Sequence, residues 1–144
     1  MGKFQRVCAR SLPEKLLLLE AAFWLPVARL IIHFVPMKWY SSIFLGKHMV
    51  ESPKSSNFVP DDFLKQVSWA TNAMSGRMPW KNKCFAHAMA AKIILRLRGL
   101  PSTLYLGLKK DEKKELAAHA WLRCGDRFVT GGDGTGYSIV SKFS

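Results

Sequence analysis

The chain has 144 residues, of which 49% are hydrophobic, 12% aromatic and 22% charged, enough apolar surface for one domain with its own core. That excludes repeat arrays, multidomain machines and a wholly disordered chain. Twenty-two Lys and Arg against ten Asp and Glu give a formal charge of +12, so an anionic partner has to be considered, although charge alone does not name it.

Met1-Gly2 opens a myristoylation-like string that Arg6 breaks, since Ser or Thr is needed there. Leu16 to Val35 (LLLLEAAFWLPVARLIIHFV) approaches membrane-spanning length, but Glu20, Arg29 and His33 interrupt it and Pro26 falls near its middle. Those charges, with no small-residue cleavage pattern after the run, argue against a signal peptide. Two short helices or one kinked helix are expected, either packed on the main domain or exposed as a hairpin that touches a partner or a membrane. Lys47 to Pro60 (KHMVESPKSSNFVP) reads as a linker and sets a boundary near Ser55, between a helical lead-in over 1–55 and a main domain over 56–144.

Asp61-Asp62 begin a helix with Phe63, Leu64, Val67 and Ala70 at helical spacing, ending before Gly76. A second helix, Cys84 to Arg98, is stopped by Gly99 and Pro101. Thr103 to Leu108 alternates as a strand, and the charged connector KKDEKKE follows it. Ala117 to Cys124 and Arg127 to Thr130 flank the turn signal Gly125-Asp126, and GGDGTG leads to a last strand, Tyr137 to Val140. Helices followed by a small antiparallel sheet predict an α+β fold.

Cys8, Cys84 and Cys124 are an odd number of widely spaced cysteines, which predicts free thiols in a reducing, cytoplasmic compartment. A helix N-terminus offers unpaired N–H groups and a positive dipole end to a thiolate or an oxyanion, and Cys84 is placed to use them, with Lys81 and Lys83 beside it. Ala88 and Ala91, on the face of Cys84, are small enough for a strand to come close. Along AHAWLRC, alternation puts His119, Trp121 and Arg123 on one face and Ala118, Ala120, Leu122 and Cys124 on the other. An imidazole there suits a general base that takes the thiol proton and returns it to a leaving amine. On these residues alone, a hydrogen-bonded core histidine and a buried cysteine remain open as the ordinary reading.

His87, one turn after Cys84, is the local rival for the base. Cys84, His87, His119 and Cys124 are also four zinc-ligand types, but alternation sends His119 and Cys124 to opposite faces, which argues against a shared metal. Trp80 and Trp121 are candidate walls of a peptide groove or simply packing. The basic residues are spread over predicted ends and loops without a groove-reading helix or base-stacking motif, which argues against a nucleic-acid partner.

The run WKNKCFAHAMAAKIILRLRGLPSTLYLGL, followed after a charged gap by AHAWLRCGDRFVTGG, resembles the transglutaminase-like cysteine peptidases of lasso peptide biosynthesis. These proteins remove the leader from a ribosomally made precursor. The match runs from Trp80 to about Gly132, and LPEKLLLLEAAFWLPVARL resembles the helical lead-in of the same proteins. The resemblance implies a transglutaminase-like (papain-like) core, Cys84 as nucleophile, His119 as general base and no cofactor. The family's Asp is expected about twelve residues after the His, where this sequence has Gly131. Asp133 faces the same way in a strand register and is the candidate third catalytic residue; Asp126, in the turn, is a poorer choice, and a backbone carbonyl or water is the alternative.

The partners implied are the leader region of a lasso precursor peptide and a small leader-recognition protein, the latter because the chain begins close to the lead-in. The asparagine-synthetase-like cyclase that closes the macrolactam with ATP is a third. Lys109, Lys110, Lys113 and Lys114 are candidates for holding an acidic leader. Amide transfer or deamidation by the same pair is the alternative chemistry, and peripheral membrane contact by the apolar hairpin is the alternative class.

Overall fold

The computed structural model describes residues 12–40, 61–77, 84–110 and 112–144. Among the described residues, four helices, α1 (Leu12–Phe34), α2 (Met37–Tyr40), α3 (Asp61–Ser75) and α4 (Cys84–Leu97), precede four strands. The strands are β1 (Thr103–Lys110), β2 (Leu116–Cys124), β3 (Arg127–Thr130) and β4 (Ser138–Phe143). They form an antiparallel sheet in the order β3-β2-β1-β4, so the fold is α+β, as the element order predicts. The expected linker and its boundary near Ser55, together with Cys8, Trp80, Lys81 and Lys83, lie outside the described residues.

The N-terminal apolar run is one helix rather than two. Proline within a helix forfeits a hydrogen bond and costs about 3 kcal/mol or more, yet α1 continues through Pro26. Leu17, Leu18, Ala21, Leu25 and Ala28 recur every three or four residues, so tertiary packing holds the helix across the proline. They sink into a core shared with α3 and α4. Glu20, which interrupts the apolar pattern, accepts two hydrogen bonds from the Arg98 guanidinium at 2.8 and 2.6 Å. Arg98 also lies 5.2 Å from the centroid of the Phe63 ring. One basic residue thus joins α1 and α3 to the C-terminal end of α4.

α4 is buried from Ala86 to Leu95, and its alanines allow neighbours on both sides to approach closely. Its end is a left-handed cap: Gly99 has φ +71°, and its N–H and that of Leu100 donate to Arg96 and Leu95 at 3.0 Å each. Leu104, Ala120, Leu122, Cys124, Val129 and Phe143 line the core face of the sheet against the helices. At one end of this contact, Lys92 Nζ donates to the Ser102 carbonyl at 2.5 Å and the Cys124 thiol donates to the Pro101 carbonyl at 3.3 Å.

The charged connector is shorter than expected. β1 runs on through Lys110, which pairs with Leu116, and Lys114 takes a left-handed φ of 61° in the turn between. Continuing the ladder satisfies backbone groups while the lysine side chains stay in water. Because the Glu20 contact is bidentate but surface-exposed, Glu20→Gln is expected to lower stability by at most about 1 kcal/mol. Urea unfolding at low and molar salt checks it, with a smaller difference at high salt.

Candidate active site

Cys84 is the first residue of α4, half-buried, with a free thiol, and packs against the core. The helix N-terminus behind it supplies backbone N–H groups with no partner inside the helix. His119 is half-buried on β2, opposite Gly107 of β1. Its ring lies 5.9 Å from that of Trp121 and 5.0 Å from that of Tyr137.

His119 Nε2 lies 2.7 Å from the carbonyl oxygen of Gly131. A carbonyl can only accept, so this contact assigns the proton of the neutral ring to Nε2 and leaves Nδ1 as the free acceptor. The ring is thereby oriented with its basic nitrogen available. Gly131 has φ +74°, and a Cβ there would lie 2.5 Å from the Ala120 carbonyl oxygen and 2.9 Å from Trp121 Cβ. No side chain fits at the position where the resemblance places an Asp. The backbone carbonyl takes its place beside the histidine.

Asp133, the expected third residue, is turned elsewhere. It is exposed, and its Oδ1 accepts the Thr135 hydroxyl at 2.5 Å and the Thr135 N–H at 3.0 Å. These two bonds hold its carboxyl below the usual carboxylate range. The structure therefore assigns the contact with His119 to the Gly131 carbonyl and leaves Asp133 bracing the glycine loop.

Cys84 and His119 do not share a face of the sheet. The thiol lies on the core side, and His119 lies with Trp121 and Tyr105 on the opposite side.

The rival groups are placed differently. His87 is buried, its Nε2 has no hydrogen-bond partner among the described residues, and burial pulls its pKa down to about 4. Cys124 faces Pro101 on the core side, where burial pushes its thiol up. The four zinc-ligand types are therefore divided between the two faces of the sheet.

Beyond His119, the outer face is aromatic. Tyr105 and Trp121 stack at 5.5 Å with an interplanar angle of 15°. Gly107 and Gly134 let backbone approach Trp121: a Cβ on Gly107 would lie 2.7 Å from its ring, and one on Gly134, at φ +74°, would run into the same ring. A cavity of about 410 Å³ opens here. Trp121 is one of its walls, whereas Tyr105 and Tyr137 are partners that sequence reasoning missed; the Gly131 carbonyl is of the backbone kind named there as the alternative to Asp133. The available signals were the facing of Tyr105 and Trp121 across β1 and β2 and the paired glycines after Thr130.

A family model for the transglutaminase-like superfamily matches residues 35–142. The chain belongs to this superfamily. No curated protein and no solved structure matches it. Transglutaminase-like proteins are usually cysteine-type enzymes, and the matched span contains Cys84, His119 and the glycine loop. α1 ends just before that span, yet it contributes Leu17 to Ala28 to the same core.

Two outcomes follow for the groups around the site. Unfolded His87 takes up a proton near pH 6.5 and folded His87 only near 4, so its effect on stability is nil above about pH 6.5. It becomes a cost of order 3 kcal/mol as pH falls to 4. Urea unfolding at pH 7.5 and 4.5 should show His87→Gln losing less stability on acidification than the parent. Asp133→Asn keeps an oxygen for both Thr135 bonds, so kcat is expected to stay within about threefold of the parent, whereas a direct catalytic role would cost on the order of a hundredfold or more.

Proposed function

We propose that this transglutaminase-like protein is a cytoplasmic cysteine peptidase that removes the leader from a ribosomally made lasso peptide precursor. The cysteine chemistry is supported by Cys84 as the opening residue of the buried helix α4, in a chain of the transglutaminase-like superfamily that also holds a histidine oriented by a carbonyl. The leader specificity rests on the resemblance of Trp80 to Gly132 and of the N-terminal helix.

In this reading the Cys84 thiol gives its proton to His119 Nδ1 and the sulfur attacks the carbonyl carbon at the leader–core junction. Backbone N–H groups at the start of α4 hold the developing oxyanion. The C–N bond breaks, His119 returns the proton to the departing core amine, and the leader stays on sulfur as a thioester. Water, deprotonated by the same imidazole, then releases the leader and restores the thiol.

The Gly131 carbonyl is the orienting group, and Asp133 acts through the loop as a positioning residue. A separate small leader-recognition protein presents the precursor, and an ATP-dependent cyclase consumes the freed amine. An amine replacing water in the second step would give amide transfer, and a glutamine side chain as the acyl donor would give deamidation.

Incubating the protein with a lasso precursor peptide, with and without a leader-recognition protein, and following masses tests this. Separate leader and core masses are expected, with Cys84→Ala and His119→Ala each lowering the rate by at least about a thousandfold. A one-dalton gain or a cross-linked mass would select the alternative chemistry, and undiminished cleavage by Cys84→Ala would remove the nucleophile.

A further inference from the structure

The outer face of the sheet holds a cavity of about 410 Å³ that the cleavage steps do not use. That volume lies in the range of small-molecule sites. Its walls are the rings of Tyr105, Trp121, Phe128 and Tyr137 with Ile139, and Arg123 lies at its base. Tyr137 and Trp121 are also the rings in contact with His119, so the cavity adjoins the proposed general base. Phe128 and Ile139 are 40% and 51% exposed at its rim, leaving apolar surface for an occupant to cover.

We propose that this cavity is a specificity subsite for an aromatic side chain of the substrate peptide, close to the bond presented to His119. The Phe128 and Tyr137 rings and Ile139 supply its accessible apolar surface over a buried floor of stacked Tyr105 and Trp121, and Gly134 supplies wall without side-chain bulk. Charge decides against a lysine or arginine occupant. Arg123 at the base, Lys109 at 4.7 Å from the Tyr137 centroid and Lys142 beside Tyr105 in the register are three cations on this face. They oppose two carboxylates: Asp126, and Asp133 with one oxygen already engaged by Thr135. Arg123 donates to the Tyr105 hydroxyl at 3.0 Å and to the Gly125 carbonyl at 2.5 Å, which adds a polar edge. Only the occupant's membership of a substrate rests on the peptidase reading; the binding itself does not.

The test uses the Cys84→Ala protein, in which no chemistry intervenes, labelled with nitrogen-15 and titrated with N-acetyl-tryptophanamide. Shifts are expected at the Trp121 indole N–H and at the Phe128 and Gly134 amides, with N-acetyl-leucinamide and N-acetyl-lysinamide binding about tenfold more weakly. Ile139→Lys, at a half-exposed rim position, should keep the folded spectrum and weaken binding of the tryptophan compound about fivefold or more. Shifts elsewhere only, equal binding of the leucine or lysine compound, or unchanged affinity in Ile139→Lys would each overturn the subsite. Failure of leader cleavage in the mass experiment, with these shifts intact, would overturn the peptidase reading and leave the aromatic site standing.

Discussion

The packing of α4 between the other helices and the sheet is the contact on which the remaining geometry depends. A helix buried from Ala86 to Leu95 has to present small residues where neighbours come close, and Ala86, Ala88, Ala90 and Ala91 meet that demand. Lys92 is the charged exception. Its ammonium reaches the Ser102 carbonyl and hydroxyl, and burial pulls its pKa down to about 8. A buried cation with two fixed acceptors admits few alternative registers, so this contact sets α4 along the starts and ends of β1 and β2 and hence fixes the level at which Cys84 stands.

The two faces of the sheet divide the labour. The core face is aliphatic and closes against the helices, while the outer face is aromatic, polar at its edges and roofed by the glycine loop. His119 belongs to the second face, and the loop that holds its Nε2 also packs on Trp121. Histidine orientation, loop conformation and cavity shape are therefore one mechanical unit. A side chain at residue 131 would disturb all three, which gives a steric reason for glycine where the resembling family carries an acid.

α1 carries apolar residues on two sides. Its inner stripe, Leu17 to Ala28, packs in the core, and Leu12, Leu16, Leu19, Phe23, Leu30 and Phe34 form an outer apolar stripe. Two stripes make the helix apolar nearly all round, so by length and composition it qualifies as a membrane span while one side is engaged with α3 and α4. Glu20, on the same helix, bonds Arg98 of the folded domain.

Local signals alone determined much of this protein: the start of α3 at paired acids, the stop of α4 at Gly99, the alternation that divides His119 from Ala120, and the residues that mark the superfamily. Each depends on neighbours within a few positions, where helical and strand periods act directly. Tertiary structure alone decided that α1 passes through Pro26, that His87 is sealed in the core, that Asp133 turns to Thr135, and that a carbonyl meets His119. Those outcomes depend on which backbones approach across the sheet. The approach of Gly131 to Ala120 and Trp121 leaves room for an oxygen and none for a side chain, a steric fact that no run of residues states.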